Sequence, residues 1–178
     1  MKKIFSKVIY RCRQVLWALN SKVTPEEETW TASLLTKEEY TIFSQLNLSD
    51  QRHCLDVAYY CKEKAKHLEE KQQKLLVKVS LLHDMGKRHH RLQLWHRILY
   101  VLLQNHPNWL NKAKKTSLLQ KPLEVLACHS SIGAEEAKKR GWSNDVITLI
   151  HHHHNPHATL EQPLAELLTL LQEADEKY

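Results

Sequence analysis

Histidine and aspartate recur along this chain at intervals too wide for one local motif: His53, the dipeptide His83-Asp84, His129, the run His151 to His154, and Asp175. Neutral imidazole and carboxylate are ligands of borderline divalent cations, Fe, Mn, Zn, Co and Ni among them, and helical bundles collect such ligands from facing helices. Taken singly, each is as readily a structural or solvated side chain. Taken as a set, spread over separate predicted helices, they describe a candidate metal site. Lys87 stands one turn beyond Asp84, where it is either a cation aimed at a substrate phosphate or a charge complementing the end of its helix. Arg88 and Arg91 are further candidates for phosphate contacts, whereas His89, His90, His96, His106 and His157 read as surface or structural residues.

These side chains need helices to hold them. Leu occurs 29 times against 16 for Val and Ile together, with 3 Gly and 5 Pro, a balance that favours helices over strands and Gly-rich turns. Thr24-Pro25 followed by Glu26 to Glu28 reads as a cap, a first-turn proline and an acidic first turn. Ser49-Asp50 reads as the cap of a helix whose Cys54, Ala58, Cys61, Ala65 and Leu68 form one stripe, with His53 near its start. A second helix, around 71–84, ends on His83-Asp84. Pro107 breaks the next segment, and helices are expected at about 122–128 and 132–140 with a stop at Gly141. Ser143 caps a helix that reaches the histidine run. Pro163 opens the last one, with Leu164, Leu167, Leu168 and Leu171 inward and Asp175 near its end. The predicted fold class is all-α, a single-domain helical bundle.

The net charge of +6 is unevenly placed. Residues 1–25 carry six Lys/Arg and no acid, and residues 87–121 carry eight with none. Such asymmetry points to an anionic partner. Both segments also hold apolar residues at helical spacing: Phe5, Val8, Cys12, Leu16 and Leu19 in the first, Leu92, Trp95, Leu99 and Leu102 in the second. As amphipathic helices they either pack on the core with their bases solvated or lie on an anionic membrane surface. Specific nucleic-acid binding is not expected, since no zinc finger, RNP-like aromatic motif or recognition helix accompanies the charge. No apolar run approaches the ~20 residues of a membrane span, and Lys7, Arg11 and Arg13 interrupt any signal-peptide core. The expected location is cytoplasmic, with peripheral membrane attachment as its variant. Cys12, Cys54, Cys61 and Cys128 form no CxxC pair and read as reduced thiols. GxSxG, P-loop and GxGxxG motifs are absent, and Cys128 beside His129 cannot share its direction on a helix.

RHCLDVA around His53, LLHDMGK from Leu81 to Lys87, HSSIGAEEA from His129, LIHHHH around Ile150 and EAD ending at Asp175 follow the order and context of the motifs of HD-domain phosphohydrolases. The chain resembles that family from about Asp50 to Asp175. The resemblance implies a helical bundle with one or two divalent metal ions, acting on phosphate esters, often of nucleotides. It implies His53, His83, Asp84 and Asp175 as the core ligands, with Asp84 able to bridge two metals and to orient or deprotonate the nucleophile. His129, His153 and His154 would complete a second metal site, in preference to His151 and His152. Family usage leans toward Fe or Mn, with Zn, Co and Ni open. The implied partner is a phosphorylated small molecule. A non-catalytic metal-binding module with a regulatory or membrane-surface role is the alternative. The Gly-rich tract of the branch associated with cyclic di-GMP has no counterpart in HHHHNPHA, which disfavours that substrate. In this layout residues 1–48 form an amphipathic helix and a short helix packed on the core, and residues 49–178 form the HD domain, with a basic insertion at about 88–121.

Overall fold

A computed structural model of the chain describes residues 21–178; the basic helix expected before them lies outside the described residues. Helix α1 (Pro25–Leu34) begins where the sequence predicts. Thr24 Oγ1 accepts from the Glu27 N–H, and Glu27 Oε2 accepts from the Thr24 N–H, so two orphan donors of the first turn are satisfied reciprocally. Helix α2 (Lys37–Ser44) repeats this box between Thr36 and Glu39 and buries Ile42 and Phe43.

Helix α3 (Leu48–Lys64) starts earlier than expected. Asn47 is its N-cap, so Ser49 and Asp50 lie inside the first turn. Asp50 is buried there and its carboxylate binds Arg97, a tertiary partner in place of the local cap. Helix α4 (Glu70–Leu82) runs into a 3-10 turn at Met85–His89. Helices α5 (Leu94–Leu103) and α6 (Pro107–Lys114) form the basic insertion, followed by α7 (Ser117–Lys139), α8 (Asn144–His152) and α9 (Leu164–Lys177).

The two helices expected at 122–128 and 132–140 are one. Pro122 lies in the second turn of α7, where its missing N–H removes a single intrahelical bond, and a buried face of Leu123, Leu126, His129, Gly133 and Ala137 runs on without a break. The stop is at Gly141, as expected. Its φ of +69° lets the Gly141 N–H reach the Lys138 carbonyl and the Trp142 N–H reach that of Ala137, the Schellman closure that glycine adopts without a Cβ penalty.

Helices α3, α4, α8 and α9 enclose Leu55, Leu76, Leu81, Leu82, Leu149, Ile150, Leu167 and Leu171, all fully buried. Each such side chain contributes about 2 kcal/mol of hydrophobic stabilisation. Helices α1 and α2 lie over α4, and α7 packs against α8 and the 3-10 turn. That last crossing is close: a Cβ on Gly86 would stand 2.1 Å from the His129 carbonyl oxygen. Helices α5 and α6 rest on α7, with Leu92, Val125 and Leu126 as a small separate core. The insertion's apolar stripe does not all turn inward. Leu92 is buried, but Trp95 and Leu102 are exposed, because α5 is anchored through buried His96 and through the Arg97–Asp50 pair. Among the described residues there is no strand, and no helix is long and apolar enough to cross a membrane.

Candidate metal centre

Two helices end at the middle of the bundle. His83 is the C-cap residue of α4 and His153 that of α8, and helix C-termini carry partial negative charge that favours a cation. Asp84, at φ −91° and ψ 7°, leaves the α-helix for the 3-10 turn, which brings Lys87 back beside its carboxylate. His53 from α3, His129 from the middle of α7 and Asp175 from the last turn of α9 complete the ring.

The donors form two halves joined by Asp84. On one side His53 Nε2 lies 2.9 Å from Asp175 Oδ1 and 3.9 Å from Asp84 Oδ2, and His83 Nε2 lies 3.4 and 3.7 Å from the same two oxygens. On the other, Asp84 Oδ1 is 3.2 Å from His129 Nε2 and 4.0 Å from His153 Nε2. His154 joins this half, with 2.9 Å between its Nε2 and that of His129, while its Nδ1 is 3.3 Å from Asp175 Oδ2. His53, His83 and Asp175 thus form one group, and Asp84, His129, His153 and His154 another, each with ligand atoms within 4.8 Å of one another. Ligands that share an ion at ~2.0–2.2 Å fall in this range.

Three of the rings are aimed by their own helices. Nδ1 of His83, His129 and His153 bonds the carbonyl three residues back, that of Ser80, Leu126 and Ile150, at 2.7, 3.0 and 2.7 Å. A carbonyl only accepts, so the proton sits on Nδ1 and the Nε2 lone pair faces the cluster, the orientation that ligating histidines use. His83 Nε2, His153 Nε2 and Asp84 Oδ1 are buried without a hydrogen-bond partner. Each such orphan costs ~1–3 kcal/mol. The His83 nitrogen belongs to the first half and the His153 nitrogen and Asp84 oxygen to the second, and donors of these types fit divalent cations of the borderline class.

The electrostatics agree with that donor set. Burial would raise the pKa of Asp84, but Lys87, His83 and His129 hold it well below the usual carboxylate range. Burial likewise opposes the charge on Asp175, and its hydrogen bond with His53 together with the adjacent His83 ring outweighs it. Burial pushes His153 well below the ordinary histidine value, with repulsion from His83 and His154 added, and lowers His154 to about 4. His83 goes the other way: burial works against its charge, yet Asp84 beside it lifts its pKa well above the ordinary value. Lys87 Nζ sits 2.5 Å from Asp84 Oδ2, and that attraction overcomes burial and keeps it protonated.

Other residues singled out by the sequence land elsewhere. His151 is exposed and His152 partly buried, and neither belongs to the donor groups. Arg88 grips Glu136 of α7 with both terminal guanidinium nitrogens, and its Nε–H donates to Gln45 Oε1. Arg91 lines a shallow cleft of about 470 Å³ with Trp95, His96 and Lys121. Arg97 has no signal in the sequence. From α5 it returns to Asp50, 47 positions earlier, with contacts of 2.7 and 2.6 Å, close enough to Lys87 and Asp84 to act on their charge. Gln172 was equally invisible; it donates to the carbonyls of His152 and Asn155 at 3.0 and 2.9 Å and fixes the turn that carries His153 and His154.

Residues 51–177, more than two thirds of the chain, match the profile of a family described as HD domain. No curated protein and no solved structure gives a significant match.

Proposed function

We propose, on the premise that the chain belongs to the HD-domain family, that it is a metal-dependent phosphohydrolase acting on a phosphate ester, with nucleotides as the substrate class. The observation that carries this reading is the set of orphaned donors on His83, His153 and Asp84 with a protonated lysine beside them. His53, His83, Asp84 and Asp175 would hold one cation. Asp84, turning its other oxygen, would hold a second with His129, His153 and His154. Fe or Mn is the first choice, with Zn, Co and Ni compatible with the same ligands. Bound there, a divalent cation supplies Lewis acidity toward phosphoryl oxygen and lowers the pKa of water.

The chain's own groups do the rest. Asp84 would orient the attacking water. Lys87 donates to a phosphoryl oxygen as negative charge builds on it. Arg97 adds positive potential behind Lys87, and Arg91 is the candidate for a contact farther along the substrate. Arg88, engaged by Glu136, positions the turn that bears Lys87.

The test is anaerobic purification with elemental analysis, then assay of phosphomonoesters, cyclic dinucleotides and nucleoside polyphosphates with Mn or Fe. Asp84→Asn should lose metal and turnover together. Lys87→Ala should keep its metal while substrate binding or turnover weakens; loss of metal in that variant would overturn the role given to Lys87. A metal-loaded protein inert toward every substrate would favour the alternative, a non-catalytic regulatory module.

A further inference from the structure

Five of the large hydrophobic side chains exposed among the described residues, Trp95, Ile98, Leu102, Trp109 and Leu118, fall within one stretch of the insertion. Leu102, Trp109 and Leu118 are 63%, 66% and 69% exposed, too open to be stabilised by the fold itself. Helix α5, LWHRILYVLL, is apolar at all but two of its positions, yet His96 is its one buried residue, and α6 buries none. A monomer in water does not gain from such a face. The same stretch carries Lys112, Lys115 and Lys121, all exposed, with Lys114 half-buried, and no acid occurs anywhere from residue 87 to 121.

The charge selects the occupant. A second copy would bring an acid-free basic face against its like. Residues 1–25 are also basic and without acids, so that segment is repelled as well. A nucleic acid duplex satisfies the lysines, but it leaves three aliphatic side chains on short helices without an apolar partner. An anionic bilayer satisfies both sets at once: tryptophan and leucine enter the headgroup region while lysine ammonium groups reach lipid phosphates. We infer that α5, α6 and the first turn of α7 form a docking surface for an anionic lipid bilayer.

This inference is independent of hydrolysis, and its readout needs no substrate. The full chain is sedimented with vesicles of phosphatidylcholine and with vesicles that also contain phosphatidylglycerol, at low and high salt. Binding is expected only to the anionic vesicles, and salt should release it. Each lysine near the surface is worth roughly a fivefold change in partition, so Lys112→Glu with Lys115→Glu and Lys121→Glu should weaken binding at least a hundredfold. Leu102→Ser with Trp109→Ser should weaken it about tenfold or more. Both variants alter exposed side chains, and an unchanged thermal melt verifies folding. Anionic-vesicle binding that survives both variants, or that vanishes only when residues 1–20 are deleted, overturns the inference. So does a wild-type chain that ignores vesicles and binds duplex DNA or RNA through the same lysines. Absence of vesicle binding with a dimer that Leu102→Ser and Trp109→Ser dissolve would assign the face to a second copy instead.

Discussion

Gly86→Ala is the substitution whose effect follows most directly from the structure. An ideal Cβ at this position would lie 2.1 Å from the His129 carbonyl oxygen, 2.9 Å from its carbon and 3.0 Å from the Gly133 nitrogen. Carbon needs about 3.5 Å from such atoms, and all three belong to the backbone of α7, so no side chain can swing aside. The 3-10 turn and α7 must part by about 1 Å. Overpacking of this kind costs ~1–3 kcal/mol and sometimes more, and the better helix propensity of alanine returns less than about 1 kcal/mol. The displaced helix carries His129, now 3.2 Å from Asp84, so the donors of the second half separate too. The expected result is a urea midpoint lowered by about 2 kcal/mol in free energy, with fewer metal equivalents per chain after dialysis. Gly141→Ala is the control: a Cβ there meets nothing within 4 Å, so only the positive φ is strained, at about 1 kcal/mol, and metal content stays at the wild-type level. A Gly86→Ala protein with unaltered midpoint and unaltered metal content would refute the close crossing.

Three further outcomes are expected. Imidazole and carboxylate groups ligate only when unprotonated, and Asp84 raises the proton affinity of buried His83, so metal affinity should fall on acidification; titration calorimetry at several pH values checks this, and an affinity independent of pH would contradict the assignment. Glu136 is lowered from 4.5 to about 2, burial being outweighed by Arg88, His89 and Arg140; its stabilisation is complete above pH ~4.5 and lost as pH falls toward ~2. Glu136→Gln should thus cost about 1–3 kcal/mol at neutral pH and flatten the acid limb of a stability–pH curve, while an unchanged limb would count against the clamp. Arg97→Ala leaves Asp50 buried without its partner, a loss of about 3–5 kcal/mol visible in a thermal melt, with metal content retained. An unshifted Tm would show that the pair does not hold the insertion.

The helical character of the chain and the order of its ligands were open to reading because both are written locally. Thr24-Pro25-Glu26 caps a helix by chemistry confined to one turn, and Gly141 stops one for the same reason. His83-Asp84 and the histidine run sit at the ends of strongly periodic segments, so they can be placed without tertiary knowledge. Where a distant partner decides, local signals mislead. Asp50 reads as a cap, but Arg97 claims it from another helix. The stretches 122–128 and 132–140 read as two helices, but a continuous buried face makes them one. Leu92, Trp95, Leu99 and Leu102 read as one amphipathic stripe, either packed or on a membrane surface, whereas His96 and Arg97 fix the rotation of α5 so that Leu92 is buried and Trp95 and Leu102 lie outside. Gly86 has no local explanation at all; its small size is required by a helix more than forty residues away.

The rings of His83, His129 and His153 are each oriented by a bond to a carbonyl of its own helix. Their lone-pair directions are properties of the skeleton. A cation of different radius or coordination preference cannot be accommodated by torsional adjustment of these three rings and has to shift whole helix ends, against the tightly filled interior behind them. On the proposed metal-binding role, discrimination between cations of similar ligand taste would be delegated to the spacing of α4, α7 and α8, so substitutions deep in the apolar interior, far from any donor atom, would be the means of retuning which ion is preferred.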